Sequence, residues 1–334
     1  MLLGLSIFLL FLGSAWVLLA MWFHRPDSNR LRYMPIASWS LWLVVVLFLA
    51  AIGRCPPALG LILFAVILIV LWWRGLRAQG ISDWADDMAM TTTGRIVGER
   101  LELQQVRNFN WRSETDYDVR WDERVYDLAK LQTVDMISSY WGPRAIAHIL
   151  VSFGFEDGRY LTFSVEIRRA RTEEFSALGG FFKHFELNIV ASDEHDIVRV
   201  RTNIRHEDAY LYRTRLSADD GRELLEAYVA AANELAARPR YYHTLTANCT
   251  TVVFRLLRRI HPNLPLDYRL WLSGYLDEYV YALDGLQPNY SMTELRQRGR
   301  ITQRARKVCD GDDFSHCIRD GVPGYDHSPG PVGQ

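Results

Sequence analysis

Three long apolar runs at the front of the chain constrain it most: Met1 to Phe23, Ile36 to Gly53 and Ala58 to Trp73. A bilayer core about 30 Å thick takes on the order of 20 helical residues to cross. The first run suffices, and the other two lie near the short end of the spanning range. Between them stands "RCPP" (Arg54 to Pro57), where the prolines cannot continue a helix, so the second and third runs read as a helical hairpin. Trp39, Trp42, Trp72 and Trp73 fall near the run ends, where interfacial aromatics collect. A secretory signal peptide is the rival reading of Met1 to Phe23. The run is overlong, has no basic residue near Met1 and lacks a clean Ala-x-Ala site, so a retained helix is expected. Arg54 spoils a lipoprotein box at Cys55, which reads as a loop cysteine.

Two signals about orientation oppose each other. Arg25, Arg30 and Arg32 in the first loop, with Arg74 and Arg77 after the third run, are cytoplasmic by the positive-inside rule. Three spans would then leave the large C-terminal part in the cytosol. Cys309 and Cys317 in "CDGDDFSHC" argue the other way, because a short disulfide loop belongs to an oxidising compartment.

The chain has 334 residues, room for about two domains, and no internal repeat. A net charge of -1 points away from nucleic-acid binding and from a polybasic membrane surface. Four cysteines are too few for a disulfide-built fold. From Ile81 the composition turns polar. "SDWADDMAMTTTG" reads as a linker, Arg95 to Val106 as strand-like, and Val106 to Leu128 as a surface loop pinned by its aromatics, with a substrate-binding loop as the other reading. Trp111, Arg112, Tyr117 and Arg120 are its candidate site-lining residues.

Ala145 to Arg169 is a hairpin around Asp157-Gly158. With those two as the turn, Glu156 pairs with Arg159 and His148 falls opposite Ile167; a one-residue bulge sets it opposite Glu166 instead. Strands are expected at Asp196 to Thr202 and Ala209 to Leu216. Ser217 caps a helix ended by Arg238-Pro239, and a second helix starts near Cys249 and stops before Pro262. Pro265 to Leu286 reads as short amphipathic helices, and the Gly/Pro-rich tail after Asp320 as disordered.

The chemistry centres on Cys249. A thiolate is the reactive form of cysteine, and both a helix N-terminus and a nearby imidazolium favour it. Unpaired N–H groups at a helix end also hold the oxyanion of an acyl-transfer intermediate. The plain alternative is a small buried residue. His148 on a strand is the favoured base and His243, in the link before Cys249, its rival. Glu166 or Ser164 would orient the imidazole, Glu166 being preferred, although it has Arg168 and Arg169 as surface partners. Asn248 and Tyr242 complete the supporting candidates, Asn248 mainly as a helix cap. Cys309, His316 and Cys317 lack a fourth zinc ligand, and neither a phosphate loop, HExxH nor GxSxG occurs; no metal and no cofactor are expected.

"VRNFNWRSETDYDVRWDERVYDL", "SYWGPRAIAHILVSFGFEDG", "FSVEIRR" and "YYHTLTANCTT" together resemble the Lnb N-terminal periplasmic domain family, from about Asp83 to about Gly285. The resemblance implies a lipoprotein intramolecular transacylase-like protein: an α+β, circularly permuted papain-like (NlpC-type) domain in which histidine precedes cysteine in the chain. It also implies a periplasmic domain on a multi-pass bacterial inner-membrane protein. The expected organisation is a membrane segment over 1–75 (helices about 1–23, 36–53 and 58–74), a linker over 76–95, the family domain over 96–290 and an extension over 291–334, disordered from about 320. Three functions are carried forward. The first is a thiol acyltransferase working on lipoprotein or phospholipid acyl esters through Cys249, with the lipid bilayer as partner. The others are a papain-like hydrolase of cell-wall or peptide amides and a non-enzymatic envelope binding domain.

Overall fold

The computed structural model describes residues 2–24, 33–80, 82–308 and 313–325. It divides into two compact units, Met1–Gln79 with Phe175–Phe185, and Gly80–Glu174 with Glu186–Gln334.

The first unit holds α1 (Leu2–Phe23), α2 (Met34–Ala51) and α3 (Cys55–Gly75). All three are long and apolar enough to cross a membrane. Most of their apolar side chains are exposed, which suits helices solvated by lipid rather than water. Pro56 and Pro57 fall in the first turn of α3, where no intrahelical N–H donor is required, so "RCPP" opens the helix as well as ending the turn. Phe175–Phe185, a connection between two strands of the second unit, folds with these helices. Phe182 stacks on Phe23 with ring centroids 5.4 Å apart, and Lys183 Nζ donates to the Trp73 carbonyl at 2.7 Å.

The second unit is built on strands β1 (Thr93–Val97), β2 (Arg100–Arg107), β3 (Asn110–Trp111), β4 (Tyr117–Asp118), β5 (Trp121–Asp127), β6 (Leu131–Tyr140), β7 (His148–Phe155), β8 (Tyr160–Arg168), β9 (Glu186–Ser192) and β10 (Asp208–Arg213). The main sheet runs β1-β2-β9-β8-β7-β6-β10, with β5 also on β2, while β3 and β4 form a small hairpin. Pairing is antiparallel apart from a single parallel bridge, Arg107 to Ser192. The helices are α4 (Glu194–Ile197), α5 (Ala218–Ala237), α6 (Cys249–Ile260), α7 (Leu276–Ala282), α8 (Met292–Gly299), α9 (Thr302–Lys307) and α10 (Phe314–Arg319). Three membrane-length helices followed by an antiparallel-sheet domain with a cysteine-bearing helix is the general layout expected.

Val106 to Leu128, expected as a surface loop, carries β3, β4 and β5 with Phe109 and Trp111 buried, and expectations also change at the β7–β8 turn and after β9. The β7–β8 turn has three residues, Glu156, Asp157 and Gly158, closed by Phe155 N to the Arg159 carbonyl at 3.0 Å. Gly158 sits at φ +80°, as the third residue of such a loop requires. This one-residue difference pairs Leu150 with Ser164, and continuing that register sets His148 opposite Glu166 rather than Ile167. Asp196 to Thr202 is not a strand but the end of α4 and a π-helical turn, Val200–Ile204. Its alternating pattern suggests one wet face, yet Asp196 and Arg201 are both buried in ion pairs. Tertiary pairing overrides the alternation.

The sheet is covered on both faces. Ile149, Val151, Phe153 and Phe163 pack with Leu224 and Tyr228 of α5 and Val253 and Leu256 of α6. On the other face Ile137 and Leu150 pack with Ile197, Val198, Ile301 and Ile318. The 291–334 extension thus supplies part of the second core. Arg319 is fully buried and holds Asp135 and Glu194. Order persists past Asp320, since Val322 is buried and Tyr325 packs beside it; residues 326–334 lie outside the described residues.

Candidate active site

Each group of the site is placed by a local rule. Asn248 caps α6: its side-chain oxygen accepts from the amides of Thr250 (3.0 Å) and Thr251 (2.8 Å), and the Thr251 hydroxyl answers to the Asn248 amide. The cap fixes Cys249 as the first residue of the helix. Gly274 anchors the loop ahead of β7 through its amide to the Ala145 carbonyl at 3.1 Å. A Cβ there would lie 1.7 Å from the Arg144 carbonyl, so only glycine fits. Ser273 Oγ accepts from Ala147 N at 2.9 Å, which sets the entry into His148.

These supports place Cys249 and His148 near enough for each to act on the other's ionisation, while the Cys249 Sγ lies 4.0 Å from the Ala147 carbonyl and 4.0 Å from the Thr250 hydroxyl. His148 Nε2 meets Ser164 Oγ at 2.7 Å and Glu166 Oε1 at 3.1 Å. The Ser164 hydroxyl donates to the same Glu166 oxygen at 2.6 Å, so it accepts from the ring N–H. Glu166 does not pair with Arg168 or Arg169, which turn to the Met88 and Ala89 carbonyls and to Asp87. Its cation is Arg201, at 2.9 Å, and Arg201 continues to Glu207 (3.2 Å), which accepts from Ser139 at 2.6 Å. A continuous chain of contacts therefore runs from His148 through Ser164, Glu166 and Arg201 to Glu207, with Cys249 beside its imidazole end.

Electrostatics follow from this chain. Burial opposes a charged imidazole at His148 and Arg201 opposes it further, but Glu166 and Cys249 outweigh both and its pKa is pushed up to about 9. Burial would raise the Cys249 thiol, yet His148, with smaller help from the Ile149 amide and the Thr250 hydroxyl, brings it below its ordinary value. Burial also works against the Glu166 anion, and His148 and Arg201 hold it well below the usual carboxylate range. Because Asn248 consumes the Thr250 and Thr251 amides, the helix end acts on the sulfur less than an uncapped one would, and the imidazolium is the main lever.

The other candidates separate. Tyr242 lies close enough for Cys249 and Glu166, after burial, to push its hydroxyl pKa upward. His243 accepts instead from Leu245 N within its own turn, at 3.3 Å. Trp111 and Tyr117 join Phe109 and Trp121 in an aromatic cluster, and the Trp111 indole donates to Asp196. Arg112 pairs with Asp116 and Asp118 at exposed positions, and the exposed Arg120 pairs with the half-buried Asp122. The Cys309–Cys317 pairing involves Cys309, which lies outside the described residues. Arg201 and Glu207 were not legible as site residues. No local signal marks them: Arg201 lies between Val200 and Thr202 in a segment whose alternation reads as a strand.

Among the described residues no three His, Cys, Asp or Glu side chains converge as a metal site. No curated protein and no solved structure matches the chain. Residues 117–274, which contain His148, Ser164, Glu166 and Cys249, match the Lnb N-terminal periplasmic domain. This chain thus carries membrane-length helices ahead of a stretch that matches the Lnb N-terminal periplasmic domain family over residues 117–274.

Proposed function

We propose that the protein is a membrane-anchored thiol acyltransferase of the bacterial inner membrane, with its second unit in the periplasm. The observation that carries this reading is the buried cluster of Cys249, His148 and Glu166 at a capped helix start. A histidine on a strand preceding a cysteine on a helix is also the order of a permuted papain-like site, and the family's periplasmic description supports the placement of the domain.

In the proposed reaction the Cys249 thiolate attacks the carbonyl carbon of an acyl ester. The carbon–oxygen bond breaks, His148 gives its proton to the departing alcohol, and the acyl group remains on sulfur as a thioester. An amine or alcohol then attacks the thioester, His148 takes its proton, and the thiolate is released. Glu166 keeps the imidazole oriented throughout and stabilises its charged form. The membrane helices supply a reason for the anchor, since acyl esters of lipids and lipoproteins reside in the bilayer. If water takes the place of the amine, the same thioester makes a hydrolase.

Thiol labelling of the detergent-purified protein, followed by intact mass across pH, tests the pair in wild type, Cys249→Ala and His148→Ala. The expected outcome is fast labelling at Cys249 that persists well below about pH 8.5, the free-thiol value, and is lost in His148→Ala. Slow labelling indifferent to His148 would mean that Cys249 only packs. Offering an amine or water to the acylated protein then separates transferase from hydrolase.

A further inference from the structure

Beside α6 the second unit keeps a cavity of about 610 Å³. The cavity is partly open to solvent, and its apolar wall forfeits packing for as long as nothing fills it. A cavity in this range with an apolar lining is the ordinary form of a ligand site. Its position is specific. Thr250, next to Cys249, and Ile149, next to His148, both line it. From there the lining follows one face of α6 through Val253, Leu257 and Ile260, residues spaced by three or four positions as a single helical face demands. At 1.5 Å per residue, Thr250 to Ile260 covers about 15 Å. The space is therefore elongated and aliphatic along the helix; neither Cys249 nor His148 lines it, and its near end is Thr250, whose hydroxyl lies 4.0 Å from the Cys249 Sγ. Its far end is marked by polar groups, with His261 3.7 Å from Asp220 and with Asp284 also in the wall.

We propose that this cavity is the acyl-chain site, holding the hydrocarbon of the acyl group with its carbonyl at Cys249 and its methyl end toward Ile260. The inference rests on the acyl-transfer reading and adds to it a measure of chain length. An acyl tail fits the length, the aliphatic wall and the starting point together; a peptide would leave its backbone amides without partners along such a lining. The ester and whatever headgroup it bears remain outside. Donor hydrocarbon comes from two sources of the same chemistry, a phospholipid and the diacylglyceryl anchor of a lipoprotein.

The test is acylation of Cys249, read by intact mass, with phosphatidylglycerol vesicles or a synthetic diacylated lipopeptide as donor. Each donor is prepared with octanoyl, dodecanoyl or palmitoyl chains, and an acetyl thioester serves as reference. Two variants plug the cavity at different depths: Ile260→Trp near its far end and Val253→Trp one turn from the nucleophile. The expected readout is a ratio to acetyl transfer, which cancels a general loss of folded protein. Ile260→Trp lowers the palmitoyl ratio by about tenfold or more and spares shorter chains, whereas Val253→Trp lowers both dodecanoyl and palmitoyl ratios. Whichever donor acylates Cys249 identifies the source. Ratios that stay at the wild-type value, or fall equally for all chains, overturn the proposal while leaving the thiol chemistry standing. If no donor, acetyl included, acylates Cys249, the acyl-transfer reading fails. The cavity is then judged in Cys249→Ala by binding of a fluorescent polyene fatty acid, with Ile260→Trp and Val253→Trp added. Binding weakened in the same depth order upholds a hydrocarbon site, and no binding overturns it.

Discussion

Two buried charge networks lie in the second unit, and they are built from nearly the same parts. In one, Arg319 holds Asp135 and Glu194, Arg213 adds a second guanidinium to Asp135, and Ser152 donates to Glu194 at 2.6 Å. In the other, Arg201 holds Glu166 and Glu207, with Ser164 and Ser139 as the hydroxyls. The first has two carboxylates and two arginines, so its formal charges balance in number. The second has two carboxylates and one arginine. The second positive charge on Glu166 is the His148 imidazolium, which also faces Cys249. A balanced network ties the C-terminal helix to the sheet; a network one charge short makes a histidine hold a proton. That distinction separates structural from chemical charge here, because burial alone is the same in both.

The comparison can be broken most forcefully at Arg319. Arg319→Leu leaves Asp135 and Glu194 buried with one cation between them and should cost about 3–5 kcal/mol in denaturant unfolding. In the fraction that remains folded, Cys249 labelling at fixed pH should be unchanged; a matching loss of reactivity would merge the two networks into one. Arg201→Met should destabilise by about 3 kcal/mol and also move a titration. Arg201 opposes the imidazolium, so its removal raises the His148 pKa above about 9. His148 has a folded value above its ordinary 6.5, so its contribution to stability is complete below about pH 6.5 and is lost as pH rises through about 9. In Arg201→Met that loss shifts to higher pH, read from unfolding free energy against pH, and a shift downward would contradict the charge balance. The smallest effect is expected at the cap. Asn248→Ala should cost about 1 kcal/mol, Asn248→Asp should restore most of it, and thiol reactivity should change little, since His148 rather than the helix end controls the sulfur.

What could be read from residues alone followed the strength of local rules. The apolar runs, the Ser217 cap of α5, the Cys249 helix and the hairpin carrying His148 and Glu166 are all specified by short-range pattern. Asp-Gly suits a two-residue turn and leaves the hairpin with two possible registers; the paired strands select the one that sets His148 opposite Glu166, with Glu156 first in a three-residue loop. The deeper half of the site was not legible. Arg201 and Glu207 are charged residues that sequence reasoning assigns to the surface, and they are buried only because each meets a partner distant in the chain. The cavity beside α6 is of the same kind: Val253, Leu257 and Ile260 look like core positions, and nothing local says that the core opposite them is left unfilled.

The assignment of Phe175–Phe185 to the helical unit bears on how the protein can be handled. The chain enters that unit a second time between β8, which bears Ser164 and Glu166, and β9. Cutting before Gly80 would therefore not yield a clean soluble domain. It would strip Phe182 of its stack on Phe23 and Lys183 of its Trp73 acceptor, and set the aromatic side chains of "FSALGGFFKHF" loose in water on the strand that presents the carboxylate. Detergent or nanodisc preparations of the whole chain are the appropriate material, and a shortened one needs that connection replaced by a polar turn.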